Sequence, residues 1–139
     1  MIKFTSLKHN MNILITILRW IWELPQCLLG FILTKIYKVT YKDSLNQVKI
    51  YSGKFPGGIS LGLYILLSES NFKYLPDTIK HEYGHTRQSL YLGPLYLIII
   101  GIPSIIWAWC YTYNRMNPNG YYKFYTEKWA DKLGNVIRK

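Results

Sequence analysis

The chain has 139 residues, half of them hydrophobic, which indicates one domain with a heavy apolar load. Lys and Arg number 17 against 7 Asp and Glu, so the net charge is +10 and favours an anionic partner, either nucleic acid or a membrane surface. No nucleic-acid-binding motif is present, and the aromatic residues cluster with Ile and Leu, so we predict a lipid bilayer as partner and no nucleic acid.

The first apolar stretch, residues 11–33, has the length of a membrane helix, although Arg19, Glu23 and Pro25 interrupt it. Arg19 and Glu23 are four residues apart, so on a helix they can partly neutralise one another. The stretch is compatible with a retained anchor, an interfacial helix, or a membrane helix whose polar pair faces the protein interior. A buried core helix is the remaining alternative. We favour membrane association and predict an apolar anchor helix over 11–33.

Residues 36–68 have the pattern of β-structure. Residues 37–41 and 48–51 alternate and are rich in β-formers, and a turn sequence at 43–46 separates them. A second turn region follows at 53–58, and residues 59–68 then read as one strand. We predict a short antiparallel sheet, and therefore an α+β domain.

Residues 81–85 read HEYGH, which is the H-E-x-x-H pattern of zinc hydrolases. On a helix, His81 and His85 lie on one face and can direct two imidazole nitrogens at one metal ion. Glu82 lies about 100° further round the helix, from where its carboxylate can take the proton of an attacking water. We predict a metal-binding helix over 78–91. Two surface histidines on an amphipathic helix are the alternative.

Residues 92–113 form a second apolar stretch, which contains no charged residue. The sequence GIPS at 101–104 interrupts its middle, and aromatic residues lie at its far end, as at a membrane interface. The stretch can bend at 101–104 as a hairpin, cross a membrane and return through 114–126, or form the core of a compact domain. We favour the hairpin, because proline disfavours helical continuation at the preceding residue.

Residues 127–131 read EKWAD, in a helix predicted over 121–134. Glu127 and Asp131 would lie one helical turn apart on one face. The glutamate can complete a His-His-Glu site, and the aspartate can accept the free ring N–H of a ligand histidine. The alternative is an exposed helical turn, which Lys128 and Lys132 would make a charged solvated face.

HEYGH followed by EKWAD resembles the gluzincin metallopeptidases, and in particular the membrane-bound CAAX prenyl endopeptidase and heat-shock membrane protease group, with H-E-x-x-H and E-x-x-A-D motifs. The resemblance implies that His81, His85 and Glu127 bind one Zn2+ ion. It implies that Glu82 is the general base and that Asp131 orients a ligand histidine. It also implies that 1–139 form a single zincin-like, membrane-associated metallopeptidase domain.

In zincin-like folds, a strand before the metal helix borders the cleft and pairs with extended substrate. By this resemblance the substrate strand comprises Ile59, Ser60, Leu61, Gly62 and Leu63, although an ordinary core strand is equally compatible with the sequence. Hydrolysis also needs a donor to the oxyanion. The candidates, which spacing does not separate, are Arg87, Tyr121, Tyr122, Tyr125 and Arg138.

The resemblance therefore predicts a zinc-dependent endopeptidase that cleaves a peptide or membrane-protein substrate at the membrane. A non-catalytic membrane protein with a structural zinc site is one alternative. A basic peripheral membrane-binding protein, in which the H-E-x-x-H pattern arose by chance and binds no zinc, is the other.

Overall fold

The structure of the chain, a computed structural model, describes residues 2–70, 75–113 and 118–138 and has an α+β architecture. Its elements in chain order are α1 (Ile2–Trp22), α2 (Leu24–Ile36), β1 (Thr40–Leu45), β2 (Val48–Gly53), β3 (Gly58–Leu61), β4 (Tyr64–Ser68), α3 (Leu75–Leu92), α4 (Ile102–Tyr113), α5 (Pro118–Tyr121) and α6 (Tyr125–Gly134). A 3-10 turn (Gly93–Leu95) and a π-helical segment (Leu97–Gly101) join α3 to α4.

The four strands form one mixed sheet in the order β1-β2-β4-β3, so the predicted purely antiparallel sheet is wrong. Each of the two hairpins is antiparallel, but the hairpins join through their second strands, β2 and β4, which run parallel. The single strand predicted over 59–68 is also wrong. Gly62, with φ +63°, begins a two-residue turn that divides it into β3 and β4.

The core lies at β2 and β4, the two central strands. The side chains from Tyr64 to Leu67 are all buried, as expected for a central strand covered on both faces. Val48 and Ile50 of β2 are buried beside them, and both α2 and α3 contact β3 and β4. The sheet therefore supports α3, the helix that carries the H-E-x-x-H residues.

The first apolar stretch is not one helix, which corrects the prediction for 11–33. The chain turns by 101° between α1 and α2, near Glu23, and Pro25 lies in the first turn of α2, where its missing N–H breaks no helical hydrogen bond. The predicted Arg19–Glu23 pair is confirmed, with Arg19 Nε 2.6 Å from Glu23 Oε2. Glu23 also accepts a 2.6 Å hydrogen bond from Ser89 of α3, so this corner is fixed to the metal helix.

Across the described ranges, no helix by itself has both the length and the apolar character needed to cross a membrane. Among the helices that the structure describes, α1 and α2 meet that test of length and composition when taken together, as a bent pair.

The hairpin predicted at 101–104 is likewise wrong, because the π-helical segment continues directly into α4. Pro103 lacks the N–H that would bond to the carbonyl of Ile99, four residues earlier. The Tyr125 hydroxyl donates to that carbonyl instead, over 2.6 Å. The helix therefore passes the proline without bending back, and the chain returns toward α3 after α4.

Helices α3 and α6 touch backbone to backbone, which places the second motif against the first. A Cβ atom added at Gly84 would lie 1.9 Å from the Ala130 carbonyl oxygen, and one added at Gly134 would lie 1.9 Å from that of Lys80. Only glycine allows this approach. The metal helix is longer than the predicted 78–91, whereas α6 begins at Tyr125, so that residues 121–124 of the predicted 121–134 helix lie before it.

We expect Gly84→Ala to lower the free energy of unfolding by about 2 kcal/mol or more, because the added methyl group forces α6 away from α3. The steric cost of the methyl group would therefore outweigh the gain of about 1 kcal/mol in intrinsic helix propensity that alanine brings. Urea denaturation of the metal-free protein measures it. Gly120→Ala is the matched control, since its methyl group would meet no atom closer than 4.0 Å. Equal stability of the Gly84→Ala variant and the wild type would contradict the close contact.

Candidate metal centre

The structure brings together the three predicted ligands, His81 and His85 from α3 and Glu127 from α6. Each offers a ligand atom within 4.8 Å of the other two, and all three side chains are buried. His81 Nε2 lies 3.1 Å from Glu127 Oε2, and His85 Nε2 lies 3.4 Å from the same oxygen. This group can hold a metal ion.

The hydrogen-bond partners of the two Nδ1 atoms determine which ring nitrogens of His81 and His85 carry a proton. His81 Nδ1 lies 2.7 Å from Asp131 Oδ1, which as a carboxylate oxygen only accepts. His85 Nδ1 lies 2.7 Å from Gln88 Oε1, and the Gln88 amide nitrogen donates to the Thr126 carbonyl, which fixes the orientation of that amide. Both rings therefore donate from Nδ1, which leaves Nε2, the atom that faces Glu127, as the nitrogen that can bind a metal, the arrangement that metal-bound histidines need.

Two imidazole nitrogens and one carboxylate oxygen are ligands that divalent transition-metal ions, zinc among them, accept. With ligand bonds of ~2.0–2.1 Å in a tetrahedron, neighbouring ligand atoms are ~3.3 Å apart, close to the two nitrogen–oxygen distances observed. Two imidazole lone pairs and one carboxylate oxygen also require a positive charge between them. Within the described residues three side chains form the group, and a tetrahedral ion held by three protein ligands would have one further position for a substrate or water, as in catalytic sites.

Without a metal, a proton supplies that charge. Burial lowers the pKa of His81, but hydrogen bonds to Asp131 and Glu127 outweigh it and raise the pKa to about 9. Burial raises the pKa of Glu127, but its contacts with His81 and His85 shift it well below its usual range. A metal ion must displace this proton, so binding couples to pH.

Glu82, the predicted base, is not one of the three clustered residues but lines the same cavity. Glu82 is 7% exposed, and it lines a cavity of about 1010 Å3 that His81, His85 and Glu127 also line. The Ser60 hydroxyl lies 2.6 Å from Glu82 Oε2. The cavity is mainly apolar, and its walls include Leu29 of α2 and Ile102, Ile105 and Ala108 of α4.

Three of the five predicted oxyanion donors line the cavity: Tyr121, Tyr122 and Arg138. Arg138 already donates two hydrogen bonds to Asp131, of 2.6 and 2.9 Å, and its guanidinium lies 3.2 Å from the centre of the Tyr122 ring. It therefore fixes the carboxylate that orients His81.

The other two predicted donors have different partners. The Arg87 guanidinium donates to the Tyr91 hydroxyl on α3, over 3.0 Å. The Tyr125 hydroxyl donates to the Ile99 carbonyl, which Pro103 leaves without a helical partner. Neither lines the cavity.

The predicted substrate strand is divided by the β3–β4 turn. Ile59, Ser60 and Leu61 belong to β3 and line the cavity, whereas Gly62 and Leu63 form the turn.

Strand β3, which lines the cavity, is an edge strand of the sheet. A two-residue turn is closed by a hydrogen-bonded pair, so alternate residues of β3 bond to β4, and the 2.8 Å bond from the Ser68 N–H to the Gly57 carbonyl continues that alternation. Gly58 and Ser60 therefore direct their backbone N–H and C=O groups outward. The Tyr96 hydroxyl already donates to the Ser60 carbonyl over 2.9 Å.

Sequence reasoning missed Gln88, Tyr96 and the contact of Ser60 with Glu82. Gln88 had a signal, since it lies three residues after His85 on the same helical face. Ser60 and Tyr96 had none, because their partners are remote in sequence.

No match was found in comparisons of the chain with protein-family models, with curated proteins and with solved structures. The resemblance to gluzincins therefore stays an interpretation of the two motifs.

We expect Asp131→Asn to weaken zinc binding by about tenfold to a hundredfold, because the charged acceptor that fixes the His81 ring is lost. Competition with a chromogenic chelator measures the affinity. Asp77→Asn is the control, because Asp77 lines the same cavity at the start of α3. The role assigned to Asp131 is wrong if the two variants bind zinc equally well.

Proposed function

We propose that the chain is a zinc-dependent endopeptidase of the gluzincin type that acts at a membrane. The observation that carries the proposal is the convergence of His81, His85 and Glu127, with the Glu82 carboxylate beside them in one cavity. A structural zinc site is closed by four protein ligands and needs no base. Three protein ligands with an adjacent carboxylate are the arrangement of catalytic sites.

When bound, zinc would polarise the scissile carbonyl and acidify a water. Glu82 takes the proton of the attacking water and passes it to the leaving amine. Tyr121 and Tyr122 are the available oxyanion donors, since burial raises both phenol pKa values and keeps the hydroxyls protonated. Of the two, Tyr122 is favoured, because its ring contacts that of His81, with centroids 5.3 Å apart.

The residues that line the cavity favour an extended peptide with apolar side chains. The outward N–H and C=O groups of Gly58 offer main-chain hydrogen bonds of the kind that hold a peptide beside a sheet edge. The apolar residues of α2 and α4 form walls of the cavity, which apolar side chains of a substrate would contact.

The expected result for Glu82→Gln is full zinc binding with a fall of about a hundredfold or more in kcat/KM, since the amide cannot take the proton. Zinc content and cleavage of a peptide mixture are measured on the wild type and the variant. Glu69→Gln, at an exposed position, is the matched control. Zinc without cleavage in any of the three proteins would indicate a structural site, and equal cleavage by all would remove Glu82 from the reaction.

The proposed membrane location is supported by the surface of α1. Leu7, Met11, Leu14, Leu18 and Ile21 are each more than half exposed and lie three or four residues apart along one face. Further exposed apolar side chains lie outside this stripe, at Ile13, Ile15 and Ile17. Apolar surface on several sides of a helix fits lipid better than the single seam of a helix pair. The net charge of +10 favours anionic lipid.

Leu14→Glu/Leu18→Glu should lose binding to vesicles that contain phosphatidylserine, because each variant side chain would carry charge into the apolar layer. Flotation of the purified chain with vesicles gives the bound fraction. The control, Asn10→Glu/Asn12→Glu, makes the same charge change relative to a neutral residue at exposed polar positions of the same helix. Equal binding by both variants argues against α1 as the membrane contact, and a monomer–dimer difference between them would assign the stripe to a second copy.

A further inference from the structure

The carboxylate of Glu82 contacts a side chain of the sheet. The Ser60 hydroxyl donates to Glu82 Oε2 over 2.6 Å, with the Glu82 backbone carbonyl 2.9 Å away as a second acceptor. Only 4% of Ser60 and 7% of Glu82 are exposed. Water therefore competes little for this contact, and a hydrogen bond to an ionised carboxylate is strong in such surroundings.

Ser60 is itself fixed on both edges of its strand. On one side β3 pairs with β4, where Ser60 lies opposite Ile65. On the other side the Tyr96 hydroxyl donates to the Ser60 carbonyl over 2.9 Å, and Tyr96 is almost fully buried. The serine hydroxyl therefore has a defined position relative to α3.

The second carboxylate oxygen of Glu82 lies against Gly58, two residues before Ser60. A Cβ atom added at Gly58 would be 2.6 Å from Glu82 Oε1, so a larger residue would push the carboxylate away. Strand β3 thus confines both carboxylate oxygens of Glu82. The Ser60 hydroxyl donates to one oxygen, and Gly58, which has no side chain, leaves room for the other.

We propose that Ser60 is a positioning residue, whose hydroxyl holds one oxygen of Glu82 and so directs the other at the reacting water. This inference rests on the proposed function, in which Glu82 is the base. A base acts only within hydrogen-bond reach of the proton that it takes, so a carboxylate free to rotate spends less time in the reactive orientation. The serine would act on turnover rather than on substrate binding.

The test compares Ser60→Ala with Ser60→Thr, which keeps a hydroxyl, in the full-length zinc-loaded protein. The chain has four glutamates, so labelling glutamate with carboxyl 13C gives a spectrum in which Glu82→Gln assigns the Glu82 signal. We expect Ser60→Ala to shift that signal and to lower kcat by about tenfold to a hundredfold, while KM changes by less than about twofold. Ser60→Thr should restore both readouts.

Ser52→Ala is the matched control, since Ser52 is a buried serine of β2 that does not line the cavity. An unmoved Glu82 signal in Ser60→Ala, or an equal fall in kcat in Ser52→Ala, would overturn the positioning role. If the wild type binds zinc but cleaves no peptide, the peptidase proposal fails. The Glu82 signal then still decides whether Ser60 holds the carboxylate.

Discussion

The close approach of α3 and α6 is the constraint on which the metal cluster depends. His85 and Glu127 are 42 residues apart in sequence, and their side chains meet only because the two helix backbones touch. Gly84 is the contact point on α3, and it lies between the two histidines of the H-E-x-x-H pattern. The same pentapeptide thus supplies two candidate ligands, a carboxylate and the space that admits the helix of the third candidate ligand.

The electrostatics of the cluster follow from this geometry. Lone pairs of two imidazoles and a carboxylate oxygen converge in a buried place, which is unfavourable unless a cation lies among them. The chain neutralises the surrounding charges pairwise, since Arg138 binds Asp131, and Asp131 in turn accepts from His81. The Gln88 side-chain oxygen accepts the corresponding hydrogen bond from His85 and adds no charge. The centre therefore has directional support on both histidines, while its net charge favours a cation.

The sequence was sufficient to predict the local features of the site. Helical spacing alone predicts that His81 and His85 share a face, and the same spacing predicts that Glu127 and Asp131 share a face of a second helix. It was insufficient wherever partners are distant. The sequence near β2 and β4 does not indicate that they pair in parallel. The sequence near Pro103 likewise does not indicate that the Tyr125 hydroxyl replaces the hydrogen bond that the proline cannot make. Gly62 lay inside an apolar run that reads as one strand, and only its positive φ reveals the turn.

The hydrogen bond from the Tyr96 hydroxyl to the Ser60 carbonyl also limits how the outer edge of β3 can pair with another copy of the chain. An open strand edge is a template on which another chain can add a strand, and natural proteins shorten or block such edges. Here β3 is only four residues long, and its outward groups are limited to Gly58 and Ser60. With one of the two outward carbonyls already bonded, little of the edge is left on which a second copy of the chain could add a strand.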